Sequence, residues 1–390
     1  MRRVRLKEFG TFYSGLSGKS KSDFSEGNAL LVTYRNIFNN PVLNPAIKDT
    51  VVVGKDEKQN EVLWGDILIT GSSETPADAG MSSVVLFNPQ EKMYLNSFCF
   101  GFRLNDMNEA LPSYIGHLLR STSIRAAISK TAFGVTCFNV NRMRFADIEI
   151  PLPPLNIQKE IVSILDSFTS LIGKMKQEVE MRKKQMEYYR EKLMAPQTNW
   201  KIKTLGEIGT FTRGNGLQKS DFRVKGFPCV HYGQIHTYYN TCIYKTKSFC
   251  EEDLAKKLQK ASYGDLLIAT TSEDVKACCK AAVWFGAGDV AYSGDSFCYS
   301  HDQDPKYMAY LFQTEMFAKQ KQKAATGAKV IRVSGESMAS FSFAFPPLVQ
   351  QRQIASILDT FESYISKLEK MIELRQKQYE YYREKLLTFE

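Results

Sequence analysis

Basic and amide side chains recur in loops at matching places in the two halves of this 390-residue chain. Lys and Arg can hold phosphate groups, Arg also reads the edge of guanine, and Asn and Gln pair with the edge of adenine. Side chains of these types predict a surface that binds a nucleic acid. The candidate contact residues are Lys19, Lys21, Tyr34, Arg35, Asn36, Lys130, Asn141 and Arg142 in the first half, and Lys219, Arg223, Tyr232, Gln234, His236, Lys321, Lys323, Lys329 and Arg332 in the second.

The two sets of loop residues match in position but differ in type. Arg35 aligns with Gly233, and Asn36 aligns with Gln234, beside a tyrosine in both halves. A similar scaffold with different loop side chains is the pattern expected of two modules that read two different sequences. For any single residue, an ordinary solvated surface is the alternative interpretation.

Three segments resemble catalytic motifs, and none has the required context. SGKS at Ser17–Ser20 would need a glycine where Tyr13 stands to form a phosphate-binding loop. FGAG at Phe285–Gly288 resembles the glycine turn of an enzyme that binds S-adenosylmethionine, but no alternating βαβ series follows it. The DPKY segment has Lys306 where the catalytic motif of amino-methyltransferases has its second proline. We therefore expect neither catalysis nor a bound cofactor.

The charge and the apolar pattern narrow the class of protein. The formal net charge of +9 suits a nucleic-acid partner, although many basic proteins bind none. The chain has no run of eighteen apolar residues, which predicts no membrane span. Its basic start is not followed by the apolar segment of a secretory signal, and so we expect a cytoplasmic protein.

The eight cysteines form no CxxC pair and predict small buried thiols in a reducing compartment. A loose zinc cluster of Cys229, His231, His236 and Cys242 is the alternative. Its spacing matches no usual ligand pattern, and so we expect no metal site.

The heptapeptide EYYREKL occurs twice, at Glu187–Leu193 and at Glu380–Leu386. The match extends back to two Pro-Pro-Leu segments that begin at Pro153 and Pro346, 193 positions apart. One gap-free register therefore aligns about forty residues, which is a strong repeat signal. Looser matches precede both copies, such as GDILI in the first half and GDLLI in the second. The whole chain is an internal repeat.

Each repeat ends in a stretch whose apolar residues fall at alternating steps of three and four, which predicts a long helix with one apolar seam. A helix of ~40 residues would be ~60 Å long and could not bury that seam alone. The simplest partner of either seam is the other helix. The residues expected to pair are Leu165, Phe168, Ile172 and Met175 in the first helix, and Leu358, Phe361, Ile365 and Leu368 in the second.

Short apolar runs before each helix predict strands that alternate with polar loops and at least one helix. In the first half these runs are Leu30–Thr33, Val51–Val53, Ile67–Thr70 and Val84–Phe87. We predict an α+β fold with two mixed α/β domains, residues 1–152 and 196–345, each followed by a long helix, residues 153–195 and 346–390. The two helices are expected to pack antiparallel as a coiled coil, which gives the chain an internal pseudo-two-fold repeat.

With two similar domains and two long helices, the chain resembles the specificity (S) subunit of type I restriction–modification systems over essentially its whole length. The residues that carry the resemblance are the paired PPL…Q…I…ILD…F…YYREKL helices and the segment WKIKTLGEIGTFTRG that begins at Trp200. The resemblance implies two target-recognition domains, each of which reads one half of a split, asymmetric site in double-stranded DNA. It also implies that the two helices set the distance between these domains.

The resemblance implies partners as well. In this family two methyltransferase subunits bind the S subunit and methylate adenine, and restriction subunits join them to make the nuclease. The S chain itself is then no enzyme and holds neither S-adenosylmethionine nor ATP. Two other interpretations stay open: a stand-alone DNA methyltransferase, which would bind S-adenosylmethionine alone, and a coiled-coil scaffold that joins two proteins and binds no DNA.

Overall fold

The computed structural model describes residues 2–389. The chain divides into two compact units, Met1–Lys176 with Lys370–Glu390, and Gln177–Glu369. Each unit holds one domain and part of each of two long helices. The first unit is therefore built from both ends of the chain, whereas the second is one continuous segment. No helix within residues 2–389 is long and apolar enough to cross a membrane.

The first domain is a mixed α/β domain. Its strands are β1 (Arg2–Arg5), β2 (Gly10–Ser14), β3 (Ala29–Val32), β4 (Thr50–Val51), β5 (Ile67–Thr70), β6 (Ser72–Ser73), β7 (Ser82–Val84), β8 (Met93–Leu95), β9 (Cys99–Leu104), β10 (Ala132–Phe133), β11 (Phe138–Val140) and β12 (Glu149–Leu152). Its helices are α1 (Leu6–Phe9), α2 (Tyr34–Asn39), α3 (Pro112–Leu119), α4 (Thr122–Ser129) and α5 (Arg142–Ala146), and the long helix α6 (Leu155–Met194) follows. The strand orders are β2-β9-β5-β7, β4-β3-β8, β10-β11-β6 and β1-β12.

The second domain repeats this plan. Its strands are β13 (Lys201–Thr204), β14 (Gly209–Arg213), β15 (Phe227–Val230), β16 (Cys242–Ile243), β17 (Ser248–Cys250), β18 (Lys260–Ala261), β19 (Leu266–Ala269), β20 (Thr271–Ser272), β21 (Lys280–Trp284), β22 (Val290–Tyr292), β23 (Ser296–His301), β24 (Ile331–Arg332) and β25 (Ser342–Phe345). Its helices are α7 (Leu205–Ile208), α8 (Tyr232–Thr237), α9 (Glu252–Ala255), α10 (Pro305–Leu311), α11 (Glu315–Ala324) and α12 (Gly335–Ala339), and the long helix α13 (Leu348–Leu387) follows. The strand orders are β14-β23-β19-β21-β16, β17-β15-β22-β18, β13-β25 and β20-β24.

Three strands of the first domain end earlier than their apolar runs predict. The run at Val51–Val53 contributes only Val51 to a strand. The run that begins at Leu30 ends at Val32, because the hydroxyl of Thr33 accepts a 3.4 Å hydrogen bond from the Asn36 backbone and starts α2 instead. The run at Val84–Phe87 contributes only Val84 to a strand, and the chain bends at Phe87 and again at Gln90. The α+β fold class itself is confirmed.

The two long helices pack against each other within both units. In the first unit the ring of Phe168 on α6 stacks on Tyr382 of α13, with centroids 5.5 Å apart. In the second unit Tyr189 of α6 stacks on Phe361 of α13 at the same 5.5 Å, and Lys183 pairs with Glu369 at 2.8 Å. The residue numbers on α6 rise from contact to contact while those of their partners on α13 fall, so the two helices are antiparallel. The aromatic contact of one unit recurs in the other with the helices exchanged, as an internal pseudo-two-fold repeat requires.

The seam residues lie where the helices meet each other and their domains. Leu165 and Leu358 are fully buried and belong to the cores of the first and second domains. Buried residues elsewhere on the seam are Ile172, Ile365 and Leu368, and half-buried ones are Phe168, Met175 and Phe361. Each seam therefore stabilises the attachment of its helix to a domain as well as the helix pair.

A buried glutamine fastens each long helix to its domain. Gln158 is fully buried, accepts a 2.9 Å hydrogen bond from the Leu111 backbone and donates two bonds of 2.8 and 2.9 Å to carbonyls. Gln351, equally buried, accepts a 3.0 Å bond from the Asp304 backbone and donates to the Pro346 carbonyl at 2.9 Å. A third bond from the Gln351 amide goes to the Gln303 side-chain oxygen at 2.7 Å, whereas the corresponding bond of Gln158 goes to the Glu109 carbonyl. A clamp of three bonds thus joins each long helix to the segment before α3 in one unit and before α10 in the other.

Replacing either glutamine by leucine should destabilise its unit, because the buried backbone N–H loses its acceptor while the volume stays similar. The expected cost is about 1–3 kcal/mol for Gln158→Leu and for Gln351→Leu, measured by chemical denaturation. Gln353→Leu changes an exposed glutamine two positions away and is the matched control. Equal stabilities of Gln351→Leu and Gln353→Leu would show that the clamp contributes nothing.

The repeated heptapeptide makes the same two contacts in both units. Its second tyrosine stacks on the facing helix, as described above. Its second glutamate receives the first N–H of a domain helix: Thr122 donates to Glu384 at 2.8 Å, and Glu315 donates to Glu191 at 3.1 Å. Helix N-termini carry N–H groups without partners, and a carboxylate there is favourable. EYYREKL therefore occurs twice because each unit needs one copy to join a helix to a domain.

Candidate nucleic-acid interface

One edge of the central sheet gathers the loops of each domain. In the first domain β2 ends at Ser14 opposite Phe100, and β5 ends at Thr70 opposite Cys99. Loops that follow β2 and β5 and precede β9 therefore meet at a single edge. In the second domain the corresponding partners are Arg213 with Phe297 and Ala269 with Ser296. We call these the loop edges of the two domains.

The loop after β2 carries the first predicted cations. The amino group of Lys19 pairs with the Glu57 carboxylate, and this bond lowers the pKa of Glu57 to about 2. Lys19 is largely covered, with 9% of its side chain exposed, whereas Lys21 is exposed. Of the two lysines, Lys21 is the one presented to solvent.

On α2 the predicted residues have different surroundings. Arg35 is exposed. Tyr34 stacks on Phe38 at 5.7 Å, and burial raises the pKa of its phenol. The amide of Asn36 donates to the Asn44 carbonyl at 3.1 Å and accepts from the Asn44 backbone, so it holds the loop after α2. Arg35 is thus the α2 side chain available to an external ligand.

The third predicted group lies around the start of α5. Asn141 accepts a 3.1 Å bond from the Arg144 backbone and caps the helix. Arg142 donates to the Ser14 hydroxyl at 2.8 Å and lies over the ring of Phe100, so it joins the loop edge. Lys130, at the end of α4, is exposed. The structure brings Arg142 to the end of β2, a link between residues far apart in sequence.

In the second domain the predicted residues on α8 mainly make contacts that attach this helix to the rest of the domain. The Gln234 amide donates to Ser248 at 2.6 Å and accepts from the His231 backbone. His236 has a ring nitrogen 2.9 Å from the Thr271 carbonyl, and burial lowers the pKa of this imidazole. Tyr232 is half-buried between histidine rings.

The remaining predicted cations divide into paired, buried and exposed ones. Arg223 pairs with Glu251 at 2.8 Å. Lys321 is buried, donates to two backbone carbonyls at 2.8 Å, and has a pKa lowered by burial. The exposed cations are Lys219, Lys323, Lys329 and Arg332. The side chain of Lys321 thus stabilises the domain and is not presented at the surface.

A cleft of about 500 Å³ opens at the loop edge of the second domain, with Arg213, Gln218, Tyr232 and Asp295 among its lining residues. Sequence reasoning missed Arg213 and Gln218, both of which are exposed. Alignment of the two halves could have identified Arg213, because it stands at the end of β14 where the first domain has Ser14 at the end of β2. The lining of the cleft includes a guanidinium and an amide, a donor and acceptor set that suits base edges and phosphates.

The four residues of the alternative zinc cluster make other contacts. His231 accepts the Gly233 N–H at 3.2 Å, and the bond from His236 to Thr271 is described above. Burial raises the pKa of the Cys229 thiol to about 12. Across residues 2–389, no group of three or more His, Cys, Asp or Glu side chains could hold a metal ion.

A second feature missed by sequence reasoning is an exposed apolar stripe on the long helices. It lies outside the seam, and its members occupy equivalent positions in the repeat with 42–62% of each residue exposed. The first unit presents Ile164, Leu171, Leu374 and Tyr381, and the second presents Ile357, Tyr364, Met181 and Tyr188. In the second unit Ile357 and Tyr364 line a groove of about 590 Å³. We call these residues the outer stripe.

Comparisons with known proteins agree on one family. The model of the type I restriction modification DNA specificity domain matches residues 1–181 and 197–376. A putative type I restriction enzyme specificity subunit of Haemophilus influenzae is 30% identical over 266 residues, which are 64% of this chain and 66% of that protein. The type I restriction enzyme EcoR124I/EcoR124II specificity subunit of Escherichia coli is 28% identical over 256 residues, 62% of this chain and 63% of that protein. The chain thus spans just under two thirds of these relatives.

Two solved structures share the fold. The S subunit of a type I restriction–modification system from M. genitalium has a TM-score of 0.57 at 15% identity, and the match covers 100% of this chain and 96% of that one. A chain solved for the complex assembly and conformational transition of the type I R-M system has a TM-score of 0.59 at 14% identity, with 99% and 97% covered. Because the family model matches far more than half of its length, the chain belongs to the family of type I restriction modification DNA specificity domains.

Proposed function

We propose that this chain is the DNA-recognition subunit of a type I restriction–modification complex, with each domain reading one half of a bipartite, asymmetric site. The observation that carries the proposal is an internal repeat in which the two domains share a scaffold but differ in the side chains of their loops. The two domains share sheets, clamps and helix contacts, while their loop edges carry different side chains. Two equal scaffolds with unequal reading surfaces suit two different half-sites. The chain supplies recognition, and methylation belongs to partner subunits that flip the target adenine out of the duplex.

Methylation sequencing tests this function. The chain would be expressed with its cognate methyltransferase subunit in cells that lack other adenine methyltransferases. We expect one methylated motif with two unlike half-sites and a spacer of constant length. Methylation without sequence preference, or methylation by the partner alone at the same motif, would contradict the proposal. Because DNA is the proposed ligand, the proposed place of action is the cytoplasm.

The outer stripe supports a stoichiometry of two methyltransferase subunits. Exposed apolar patches of this kind mark protein interaction sites. The stripe presents four equivalent residues in each unit, so one partner surface can be used twice. We therefore propose one methyltransferase subunit for each unit, and restriction subunits that join the assembled methyltransferase.

An arginine on the outer stripe should remove one methyltransferase subunit at a time. Ile164→Arg and Ile357→Arg place a charge at equivalent, exposed positions, so the chain should fold normally while apolar docking is lost. We expect each single variant to bind one partner and the double variant to bind none, as native mass spectrometry or sedimentation measures directly. Ser163→Arg and Ser356→Arg, at exposed neighbouring positions, are the controls. If the double variant still binds two methyltransferase subunits, these subunits do not dock on the outer stripe.

Binding of the assembled complex to DNA should weaken steeply with salt. Each phosphate contact that is lost lowers the slope of log affinity against log salt by about 0.9. We expect Lys21→Gln and Lys219→Gln each to lower the slope by up to that amount. Lys19→Gln should lower it less, because Glu57 already neutralises Lys19. An affinity of the parent complex that stays flat between low and moderate salt would contradict this prediction.

A further inference from the structure

A β-ribbon projects from the loop edge of the first domain. It consists of β10 and β11, in which Phe133 pairs with Asn139. The turn contains Gly134 with φ +131°, and a Cβ there would lie 2.0 Å from the Cys137 carbonyl oxygen. The turn therefore requires glycine. Its base is held to the sheet, because the Val140 backbone donates to the Gly71 carbonyl at 2.8 Å.

The second domain has the same ribbon at the equivalent place. Thr326 and Arg332 exchange two backbone hydrogen bonds of 2.9 Å. Gly327 has φ +101°, and a Cβ there would lie 2.1 Å from the Val330 carbonyl oxygen. In both domains the ribbon also pairs with a short strand that follows the central strand of the sheet, β6 in one and β20 in the other. The two backbones thus follow one design.

The side chains of the two ribbons have almost nothing in common. The first reads FGVTCFN from Phe133 to Asn139, and the second reads TGAKVIR from Thr326 to Arg332, so the glycine alone is shared. The first has no charge and exposes apolar groups, with Val135 89% exposed, whereas the second carries two cations. Similar backbones with unrelated exposed side chains are expected where a scaffold is kept and a specificity differs.

We infer that these ribbons are the elements that read bases, and that Asn139 and Arg332 are equivalent readers of adenine and guanine. A two-stranded ribbon is one of the shapes that enters the major groove of DNA. Asn pairs with adenine through two hydrogen bonds, Arg pairs with guanine in the same way, and an exposed Val can contact the methyl group of thymine. Both residues are exposed at the same ribbon position. The inference rests on the proposed function and adds where, and with which side chains, each half-site is read.

Exchange of the two readers tests the inference in the assembled methyltransferase. Asn139→Arg should change one position of the first half-site from A·T to G·C and leave the second half-site unchanged. Arg332→Asn should make the reciprocal change in the second half-site. A bidentate pair discriminates between bases roughly 5- to 150-fold, so the preference should shift by a factor in that range. The readouts are methylation sequencing and selection from a DNA library randomised in one half-site.

Ala126→Arg and Lys319→Asn are controls at equivalent, exposed positions on α4 and α11, and they change the charge by the same amounts. They should leave both motifs unchanged. An unaltered motif in Asn139→Arg and Arg332→Asn would overturn the inference, as would loss of binding to every library member. A parent complex without any sequence preference would instead overturn the proposed function.

Discussion

Replacing Ile172 and Ile365 together by alanine is expected to loosen both units and to reduce methylation at both half-sites alike. Ile172 is buried in the first unit and Ile365 in the second, at equivalent seam positions. Large-to-small changes at buried sites cost about 2–5 kcal/mol each, because apolar contacts are lost and a cavity is left. Denaturant unfolding measures the stability, and methylation of a substrate with both half-sites measures the function.

Lys174→Ala is the control for the seam. Lys174 is exposed, two positions after Ile172 and outside the outer stripe, so its stability change should stay within about 0.5 kcal/mol. Single variants separate the units, since Ile172→Ala should weaken the first unit and Ile365→Ala the second. A double variant that unfolds and methylates like the parent would contradict the paired-helix interpretation.

Residues 1–194 alone are expected to dimerise and to direct methylation to an inverted repeat. This half-chain lacks Lys370–Glu390, which completes the first unit. Residues 177–194 of a second copy offer the same tyrosine for Phe168 and the same glutamate for the Thr122 N–H. Two half-chains can then close a two-fold dimer, and a true two-fold axis makes both halves of the site equal.

The measurements are sedimentation of the half-chain and methylation sequencing after expression with the methyltransferase subunit. Tyr189→Ala removes the ring that would stack on Phe168 of the second copy and should leave the half-chain monomeric. A parent half-chain that is monomeric, or that supports methylation at the original asymmetric site, would contradict the prediction. Met186 stands where full-length protein has Tyr379, which bonds His117 at 3.1 Å, so the dimer should be less stable than the intact first unit.

The presence of two long helices could be predicted from the sequence, while the contacts of individual polar side chains could not. Repetition and the three-four spacing are local signals, and they predict α6 and α13. Lys321 resembles any solvated lysine in sequence, yet its amino group bonds carbonyls of residues more than forty positions away. Asn36 likewise has a side chain that could pair with adenine, but the structure uses its amide to hold the loop after α2. Such contacts depend on tertiary packing, which a pattern of residue types does not record.

The outer stripe was missed for a different reason. Its apolar residues form pairs seven positions apart, such as Ile164 and Leu171, and the seam residues Leu165 and Ile172 have the same spacing, so both contribute to one periodic signal. Only packing tells which apolar residue of a turn is covered and which is exposed. The buried glutamines were hidden similarly, because Gln is common on exposed helix faces and Gln158 differs from its neighbours only through the domain that covers it.

The discontinuity of the first unit has a consequence for how the protein is made. Its domain leaves the ribosome first, but its core includes Tyr379 and Leu387 from the end of the chain. Translation of the intervening segment takes roughly 10 to 40 s at 5–20 residues per second. During this interval the surface of the first domain that Tyr379 and Leu387 will cover stays exposed to solvent. The second unit is one continuous segment and can fold as soon as it has left the ribosome. The C-terminal domain should therefore complete its folding first, and premature termination or ribosome pausing should expose the N-terminal domain to proteases and to pairing between nascent chains on one polysome.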